Sequence, residues 1–336
     1  MPDLTTTTAD VLRSLEPERT LTGLLRLRCP SCTHDLRAVD PVAESQTVVC
    51  AACGFSLRNL GGIWRALTPA REQHFGLFVS EYECVRRQEG RGSSHSAYYL
   101  ELPFKDLTGR NSGQWNIRSR SFRCLVGHVF PALGEQVPGP WHVLDIGAGN
   151  CWLSYRLARL GHKPVAVDLL DSELDGLGVA TRYFAELARP FARFQAEMDR
   201  LPFSEGQFPL AIFNASFHYS EDYEVTLREA LRCLTRPGHV IILDSPFYDL
   251  EESGRRMVAE KHAQFEAQYG FRSDSIPSRE YLTKDSTEQL AKASHVEWRI
   301  IKPWHGLGWA LRPWKARVRG RREPSQFFIH WITAGL

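Results

Sequence analysis

Short apolar stretches alternate with segments of helical period from about residue 141 to the end of the chain. Seven of these stretches predict strands, and they are HVLDI (142–146), PVAVD (164–168), a stretch around Phe194, PLAIFNA (209–215), HVIILDS (239–245), VEWRIIKP (296–303) and SQFFIHWI (325–332). The first five are continuously apolar, as in parallel strands that are covered on both faces. Between them, leucines recur on one helical face, as at Leu153 and Leu157. The alternation predicts an α/β fold with a parallel sheet and crossover helices.

Four cysteines in the amino-terminal part form two Cys-x-x-Cys pairs. Cys29-Pro-Ser-Cys32 and Cys50-Ala-Ala-Cys53 are separated by seventeen residues, which is within the spacing of four-thiolate zinc sites. Gly54 follows the second pair and suits the tight turn that such a pair makes around a metal ion. Four thiolates complete a tetrahedral shell, so we expect a structural Zn²⁺ that takes no part in catalysis.

Changes in pattern divide the chain into four regions. Pro138-Gly139-Pro140 interrupts the chain sharply just before the first α/β strand. Ahead of it, helical spacing predicts helices over 70–89 and 114–134. The predicted regions are an amino-terminal arm (1–20), a zinc ribbon (21–68), a helical linker or substrate-lid region (69–140) and the α/β domain (141–336) with an insertion at 304–324.

The overall composition is that of an ordinary folded protein. Hydrophobic residues make up 43% of the 336 residues and charged residues 24%, which excludes disordered, collagen-like and coiled-coil classes. No apolar run reaches the length that crosses a bilayer, and the polar, acidic start is unlike a signal peptide. We therefore expect a cytoplasmic protein without a transmembrane segment.

A glycine-rich turn follows the first strand of the α/β domain. In VLDIGAGN (143–150), Gly147 and Gly149 allow a tight turn, and the following helix offers unpaired backbone N–H groups to a ligand. A dinucleotide site would need a third glycine where this chain has Trp152. Asp168 ends the next strand, where a carboxylate can accept hydrogen bonds from both hydroxyls of an adenosine ribose.

Five motifs follow one another in order across residues 141–245. They are VLDIGAGN (143–150), VAVD (165–168), AEMDRLPF (196–203), QFPLAIFNASFHY (207–219) and LRCLTRPGHVIIL (231–243). The series resembles the class I S-adenosylmethionine-dependent methyltransferases, most closely the subgroup that includes quinone-biosynthesis methyltransferases. The resemblance implies a doubly wound, Rossmann-like sheet of seven strands and S-adenosylmethionine as the cofactor.

The resemblance also implies cofactor contacts by position. Asp145, Gly147 and Gly149 would hold the methionine part of the cofactor, and Asp168 would bind the ribose. Neighbouring motif residues complete this part of the expected site, and they are Ala148, Asn150, Leu169 and Asn214.

Three residues are expected at the adenine. Glu197 holds the position of the acid that accepts a hydrogen bond from the adenine amino group. Asp199 is a second acid close by, and Met198 would pack on the ring.

The candidate catalytic residues follow the fourth and fifth strands. His218 is a candidate general base because its ordinary pKa is near neutrality, and a packed or cofactor-covering histidine is the alternative. Tyr219 would shape the pocket, and Asp244 would bind or deprotonate the acceptor. The chain lacks an Asn-Pro-Pro-Tyr type sequence resembling that of amino-methylating enzymes, which disfavours exocyclic amines.

One short segment is strongly basic. Residues 299–322 contain eight Lys and Arg and no acid, whereas the rest of the chain has 33 bases against 39 acids. The segment also holds Trp304, Trp309 and Trp314. It could meet a phosphate-bearing partner in two ways, by binding single-stranded RNA or by lying in a lipid headgroup layer. A third alternative is a cap over the sheet with its arginines in solvent.

The sequence thus predicts a methyltransferase that transfers a methyl group to an O, C or N nucleophile of an unidentified small-molecule or lipid-linked substrate. An RNA-base methyltransferase is the first alternative, because a zinc ribbon ahead of a class I domain partly resembles the bacterial family that methylates a guanine of large-subunit ribosomal RNA. The ribbon of that family tends to end in a histidine ligand, whereas all four residues here are cysteines. A non-catalytic, cofactor-binding adaptor is the further alternative.

Overall fold

The computed structural model describes residues 23–334, so the predicted arm (1–20) lies outside the described residues. Five short strands come first: β1 (Leu25–Arg28), β2 (Asp35–Val39), β3 (Thr47–Val49), β4 (Ser56–Leu60) and β5 (Ile63–Arg65). β1 pairs with β2, and β3, β4 and β5 pair in sequence, all antiparallel.

Helices occupy the next region. They are α1 (Pro69–Gln88), α2 (Ser96–Glu101), α3 (Ser112–Cys124) and α4 (Phe130–Gly134). A π-helical turn, Leu125–Val129, joins α3 to α4. The helices predicted over 70–89 and 114–134 are confirmed, the second as this helix–turn–helix run.

The α/β part then alternates strands with helices. Its elements are β6 (His142–Ile146), α5 (Trp152–Arg159), β7 (Lys163–Asp168), α6 (Thr181–Phe184), β8 (Ala192–Gln195), β9 (Phe208–Asn214), α7 (Tyr223–Cys233) and β10 (Leu234–Tyr248). The chain ends with α8 (Glu251–Tyr269), β11 (Leu282–Thr283), α9 (Lys284–Ala293), β12 (Glu297–Ile301), α10 (Leu307–Ala310), α11 (Arg312–Val318) and β13 (Gln326–Ala334).

The central sheet is larger than the sequence predicts. The seven expected strands lie side by side in the order β8, β7, β6, β9, β10, β13, β12, with β13 antiparallel to both of its neighbours. Within residues 23–334 the continuous sheet has eleven strands rather than seven. The additional strands are β11, which pairs with the end of β10, and β5, β4 and β3, which extend the edge at β8. β5 runs parallel to β8 and satisfies backbone groups that an edge strand would leave open.

Apolar side chains are buried on both faces of this sheet. Leu144 and Ile146 of β6 belong to one core cluster, which includes Leu227 of α7. Val143 of the same strand belongs to the other cluster, with Leu153 of α5. Because successive side chains of a strand point to opposite faces, this division confirms a mixed α/β, Rossmann-like fold with covered faces.

Strands β1–β5, which we call the cysteine module because the turns between them carry the four cysteines, pack directly on the α/β part. Trp64 of β5 is fully buried and stacks on Phe194 of β8, with ring centroids 5.9 Å apart. The Arg28 amide donates to Pro202 O at 3.1 Å, and the Ser204 amide donates to Arg26 O at 3.0 Å. The loop after β8, which carries the AEMDRLPF motif, is therefore bonded to β1.

Candidate functional site

The glycine turn after β6 has a conformation that needs glycine. Gly147 has φ +72°, and a Cβ added there would lie 2.2 Å from the Ser216 Cβ. Its amide donates to Val167 O at 2.8 Å. The turn is thus held between the ends of β7 and β9, so the loops after three neighbouring strands meet at one edge.

Asp168 connects the end of β7 to this turn. Its carboxylate accepts from the Gly149 amide at 2.7 Å and from the Leu170 amide at 2.8 Å. Burial raises the pKa of Asp168, and the backbone hydrogen bonds oppose that rise. The two amides fix the direction of both carboxylate oxygens, and each oxygen keeps a further lone pair.

A cavity opens at this edge of the sheet. Most of the expected site residues line it, and these are Gly147, Ala148, Gly149, Asn150, Asp168, Leu169, Glu197, Met198, Asp199, Asn214 and Tyr219. The structure therefore brings the glycine turn, the acid after β7 and the AEMDRLPF motif to one cavity at the carboxyl ends of the strands, where α/β sheets bind ligands.

Asp145 lies below the turn and is not part of the cavity wall. Its side chain is fully buried, and Oδ2 accepts from Ser154 Oγ at 2.6 Å. Oδ1 has no hydrogen-bond partner among residues 23–334. Burial raises the pKa of Asp145 to about 7.

The structure does not place His218 or Asp244 in the cavity wall. His218 Nδ1 is 3.2 Å from Ser245 Oγ, and burial, with smaller contributions from Lys261 and Arg118, lowers the pKa of this imidazole to about 3. Asp244 accepts from Ser121 Oγ at 2.6 Å, and burial raises its pKa. Both side chains are buried behind the wall, and their catalytic roles stay predictions.

The acids expected at the adenine already have partners. Arg71 Nε donates to Glu197 Oε2 at 2.8 Å, and the same guanidinium contacts Glu221 at 3.0 Å. Asp199 accepts from the Thr226 hydroxyl, and burial raises the pKa of Asp199 to about 6. Glu197 is thus held in place by an arginine of α1, a contact that the sequence did not predict.

Helix α1 forms a roof over the cavity, and we call it the roof helix. Phe75, Phe78 and Tyr82 line the cavity from this helix, and they pack with Ile276 and Tyr219 in a separate apolar cluster. Their spacing of three and four residues was the signal in the sequence, because it places them on one helical face.

An ion pair holds the carboxyl-terminal half of the roof helix. Arg86 Nε bonds to Asp175 Oδ2, and Asp175 Oδ1 accepts from Asn150 Nδ2 at 3.2 Å. All three residues line the cavity. The roof helix is thereby connected to the last residue of the VLDIGAGN motif.

Arg118 of α3 also lines the cavity, and no motif in the sequence predicts this position. Its guanidinium lies 4.8 Å from the centre of the Trp115 ring. Within residues 23–334, Arg118 makes no ion pair and no hydrogen bond through its side chain. Burial, followed by the neighbouring Arg91 and Arg86, lowers its pKa to about 10, so the side chain stays cationic at neutral pH.

The four cysteines converge at one point. Their Sγ atoms all lie within 4.8 Å of one another, with Cys29–Cys53 at 3.6 Å and Cys32–Cys50 at 3.5 Å. Tetrahedral zinc with Zn–S bonds of about 2.3 Å requires sulfur separations of about 3.8 Å, so the cluster fits this ion. Gly54 turns at φ +75°, as expected.

No helix within residues 23–334 is both long enough and apolar enough to cross a membrane.

Residues 144–242 match the family model described as a methyltransferase domain. That match covers the elements from β6 into β10, whose loops build the cavity. With this domain, the protein is a methyltransferase enzyme.

Solved structures of the same class resemble the chain distantly. An S-adenosylmethionine-dependent methyltransferase of Thermotoga maritima is 14% identical, with 78% of this chain and 99% of that chain covered at a TM-score of 0.41. One of Mesorhizobium loti is 18% identical, with 61% and 96% covered at a TM-score of 0.40. Likenesses at this level carry no information on the substrate. No curated protein matches the sequence.

Proposed function

We propose that S-adenosylmethionine binds in the cavity with its ribose on Asp168, its methionine part along the Gly147–Asn150 turn and its adenine beside Glu197 and Met198. The observation that carries this proposal is the Asp168 carboxylate, which two backbone amides orient at the cavity wall. Two ribose hydroxyls can donate to the two oxygens of such a carboxylate. Asp145 would support the turn from below rather than contact the cofactor.

Arg118 supplies a cation where the cofactor carries an anion. The methionine part of S-adenosylmethionine has a carboxylate, and Arg118 is a cavity-lining arginine without a carboxylate partner among the described residues. A carboxylate in the ligand would form a charge-assisted hydrogen bond with it. We therefore include Arg118 in the proposed cofactor site.

The cofactor supplies an activated methyl group when it is bound, so the chain has to align an acceptor and exclude water. Phe75, Phe78 and Tyr82 of the roof helix exclude water from one side. Tyr219 lies in the same wall and positions the acceptor. His218 and Asp244 would act on the acceptor only through the residues in front of them.

The acceptor proposed is a small-molecule or lipid-linked compound with an apolar body and an O, C or N nucleophile. Aromatic side chains cover the cavity, and apolar walls with few polar groups suit such a compound. An RNA base, the alternative from the sequence, would have to be extruded to pass beneath the roof helix.

The cofactor site can be tested with two ligands that differ in the methionine part. S-Adenosylhomocysteine has the ribose and the carboxylate, whereas 5′-methylthioadenosine has only the ribose. We expect Asp168→Ala to weaken calorimetric binding of both by about 1–3 kcal/mol, the cost of lost charged hydrogen bonds. Arg118→Met should weaken only S-adenosylhomocysteine.

The matched control for this test is Asp171→Ala, since Asp171 pairs with Arg65 and is not part of the cavity wall. Unchanged affinity in Asp168→Ala would contradict the ribose assignment. Equal weakening of both ligands in Arg118→Met would contradict the carboxylate assignment.

The acceptor class can be tested with methyl-labelled S-adenosylmethionine and extract from the host cell. Label in the lipid or small-molecule fraction supports the proposed acceptor. Label in RNA would replace it with the RNA alternative.

We propose a structural Zn²⁺ on Cys29, Cys32, Cys50 and Cys53. The convergence of four sulfurs supports it. Four thiolates leave no open position for water or substrate, so the metal would stabilise the cysteine module and supply no chemistry in the cavity.

A further inference from the structure

The connection between β12 and β13 exposes large apolar side chains. Leu307 is 73% exposed, Trp314 63% and Val318 68%, and Leu311 and Trp304 are also exposed. Single exposed apolar residues are ordinary on a protein surface, but a run of them within one short segment marks an interaction surface.

Four of these residues lie on one face of a nearly continuous helical segment. The Leu311 amide donates to Leu307 O at 3.0 Å and the Lys315 amide donates to Leu311 O at 3.0 Å, so the helical turn passes from α10 into α11. Leu307, Leu311, Trp314 and Val318 follow one another at intervals of four, three and four residues. This spacing places them in one stripe, which we call the apolar stripe.

The opposite side of the segment is anchored to the fold. Trp309 Nε1 donates to Gln326 Oε1 at 3.2 Å, and its ring packs on Phe327 with centroids 5.7 Å apart. The Arg312 guanidinium covers the same indole at 3.7 Å. The apolar stripe is therefore held facing outward by contacts on its other side.

Cations without partners flank the apolar stripe. Lys315, Arg317, Arg319 and Arg321 are exposed and form no ion pair within residues 23–334. Arg322 contacts Glu260 at 2.6 Å, which reduces the positive charge at that end of the segment. No acid interrupts the chain from Arg299 to Arg322.

The chemistry of the apolar stripe distinguishes among partners. Single-stranded nucleic acid binds through aromatic rings that stack on bases, but Leu307, Leu311 and Val318 are aliphatic. A bilayer accepts aliphatic and indole side chains together below its headgroups, and anionic headgroups attract the flanking cations. We propose that residues 304–322 dock the enzyme on the surface of an anionic phospholipid membrane.

The docking segment is connected to the cavity wall through α3. Arg120 of α3 donates to His305 O, and Arg118, two residues away on the same helix, lines the cavity. Because β12 runs parallel to β10, the segment also starts from the edge of the sheet where the cavity opens. We therefore expect the membrane to supply the acceptor, an expectation that rests on the proposed function.

Cosedimentation of the full chain with vesicles tests the docking. Vesicles of phosphatidylcholine with phosphatidylglycerol should bind the enzyme, and vesicles of phosphatidylcholine alone should bind it much less. Leu307→Ser with Trp314→Ser should weaken binding about tenfold or more, because two buried apolar side chains are lost. Arg317→Gln with Arg319→Gln and Arg321→Gln should weaken it as well and flatten its dependence on salt.

A matched control is Leu60→Ser with Leu160→Ser, which removes two exposed leucines from other surfaces and should leave vesicle binding unchanged. S-Adenosylhomocysteine affinity checks that every variant is folded, and it separates failure of the docking from failure of the cofactor site.

Absence of vesicle binding overturns the proposal. Binding that depends on the arginines but not on Leu307 and Trp314 also overturns it. If single-stranded RNA binds and the charge variant alone loses that binding, the surface is a nucleic-acid site instead.

Discussion

At the residue scale, the burial of Asp145 lowers the free energy of unfolding at neutral pH. Its carboxyl is fully buried, with Ser154 as the hydrogen-bond donor to one oxygen and no partner for the other among the described residues. Burial disfavours the charged form, which is why the pKa rises to about 7.

Asp145→Asn should therefore change how stability depends on pH. An aspartate in the unfolded chain has a pKa of about 3.9, so the wild-type protein loses stability as the pH rises from about 4 to about 7, where the folded state holds the extra proton. The variant lacks this loss. The free energy of unfolding of the variant minus that of the wild type should therefore be larger at pH 8 than at pH 5, as measured by urea unfolding at the two pH values.

The control for this measurement is Glu186→Gln, which changes an exposed acid and should shift stability equally at both pH values. A wild-type to Asp145→Asn difference that does not vary with pH would contradict the burial argument.

Gly147 shows how far the sequence predicts the site at this scale. A glycine between a strand and a helix indicates a tight turn from local pattern alone. The close approach of Ser216, which excludes any Cβ at Gly147, comes from a residue far along the chain and cannot be seen in a local pattern. Arg118 was missed for the same reason, because no motif marks an arginine that reaches the cavity from another helix.

The roof helix is the element whose position matters most for the cavity. One ion pair, Arg86 with Asp175, joins it to the wall that contains Asn150. Both charged side chains are largely buried, so removal of one partner leaves the other charge uncompensated.

Arg86→Met should destabilise the protein by about 3–5 kcal/mol, the range for a broken buried pair, and should weaken S-adenosylhomocysteine binding because Asn150 loses its fixed partner. Urea unfolding and calorimetry measure the two effects. Arg87→Met is the control, since Arg87 is exposed on the same helix. Equal stability of the two variants would show that the pair does not hold the helix.

Helix α1 could be predicted from its spacing, whereas its role could not. The helical spacing of the apolar residues shows which of them share a face. The surface against which that face packs depends on how the chain folds back over the sheet. The sequence also predicted Glu197 as an adenine contact without Arg71, which approaches it from this helix.

At the scale of the whole molecule, strands β3–β5 of the cysteine module belong to the same sheet as the α/β part, and β1 shares hydrogen bonds with the loop after β8. The Arg28 amide bonds Pro202, and the Ser204 hydroxyl donates to Leu27 O at 3.0 Å. The loop that contains Glu197 and Met198 thus depends on the fold around the cysteine cluster.

Cys29→Ser with Cys32→Ser should release about one zinc per chain by elemental analysis and weaken S-adenosylhomocysteine binding, because the 196–203 loop loses its support from β1. The control is Cys84→Ser with Cys124→Ser, which lie outside the cysteine cluster. A parent protein without zinc would contradict the metal proposal, and unchanged ligand affinity in the zinc-free variant would contradict the coupling.

The alternation of strands and helices predicted the parallel part of the sheet, because each of these strands is a local apolar run in the sequence. The count of seven was wrong for the continuous sheet, because pairing of β5 with β8 joins residues about 130 positions apart. Such pairing is a property of the tertiary fold. The sequence pattern of a strand does not show which edge of a sheet that strand will pair with.

The shared sheet has a consequence for biosynthesis. Ribosomes make the chain from its amino terminus, so β5 emerges well before β8 exists, and Trp64 has no Phe194 to stack on during that interval. The nascent cysteine module then has an open strand edge and an uncovered indole, which are features that promote aggregation of incomplete chains. The edge at β5 closes only once β8 has been made, so the yield of folded enzyme should depend on how long the nascent chain waits in this state.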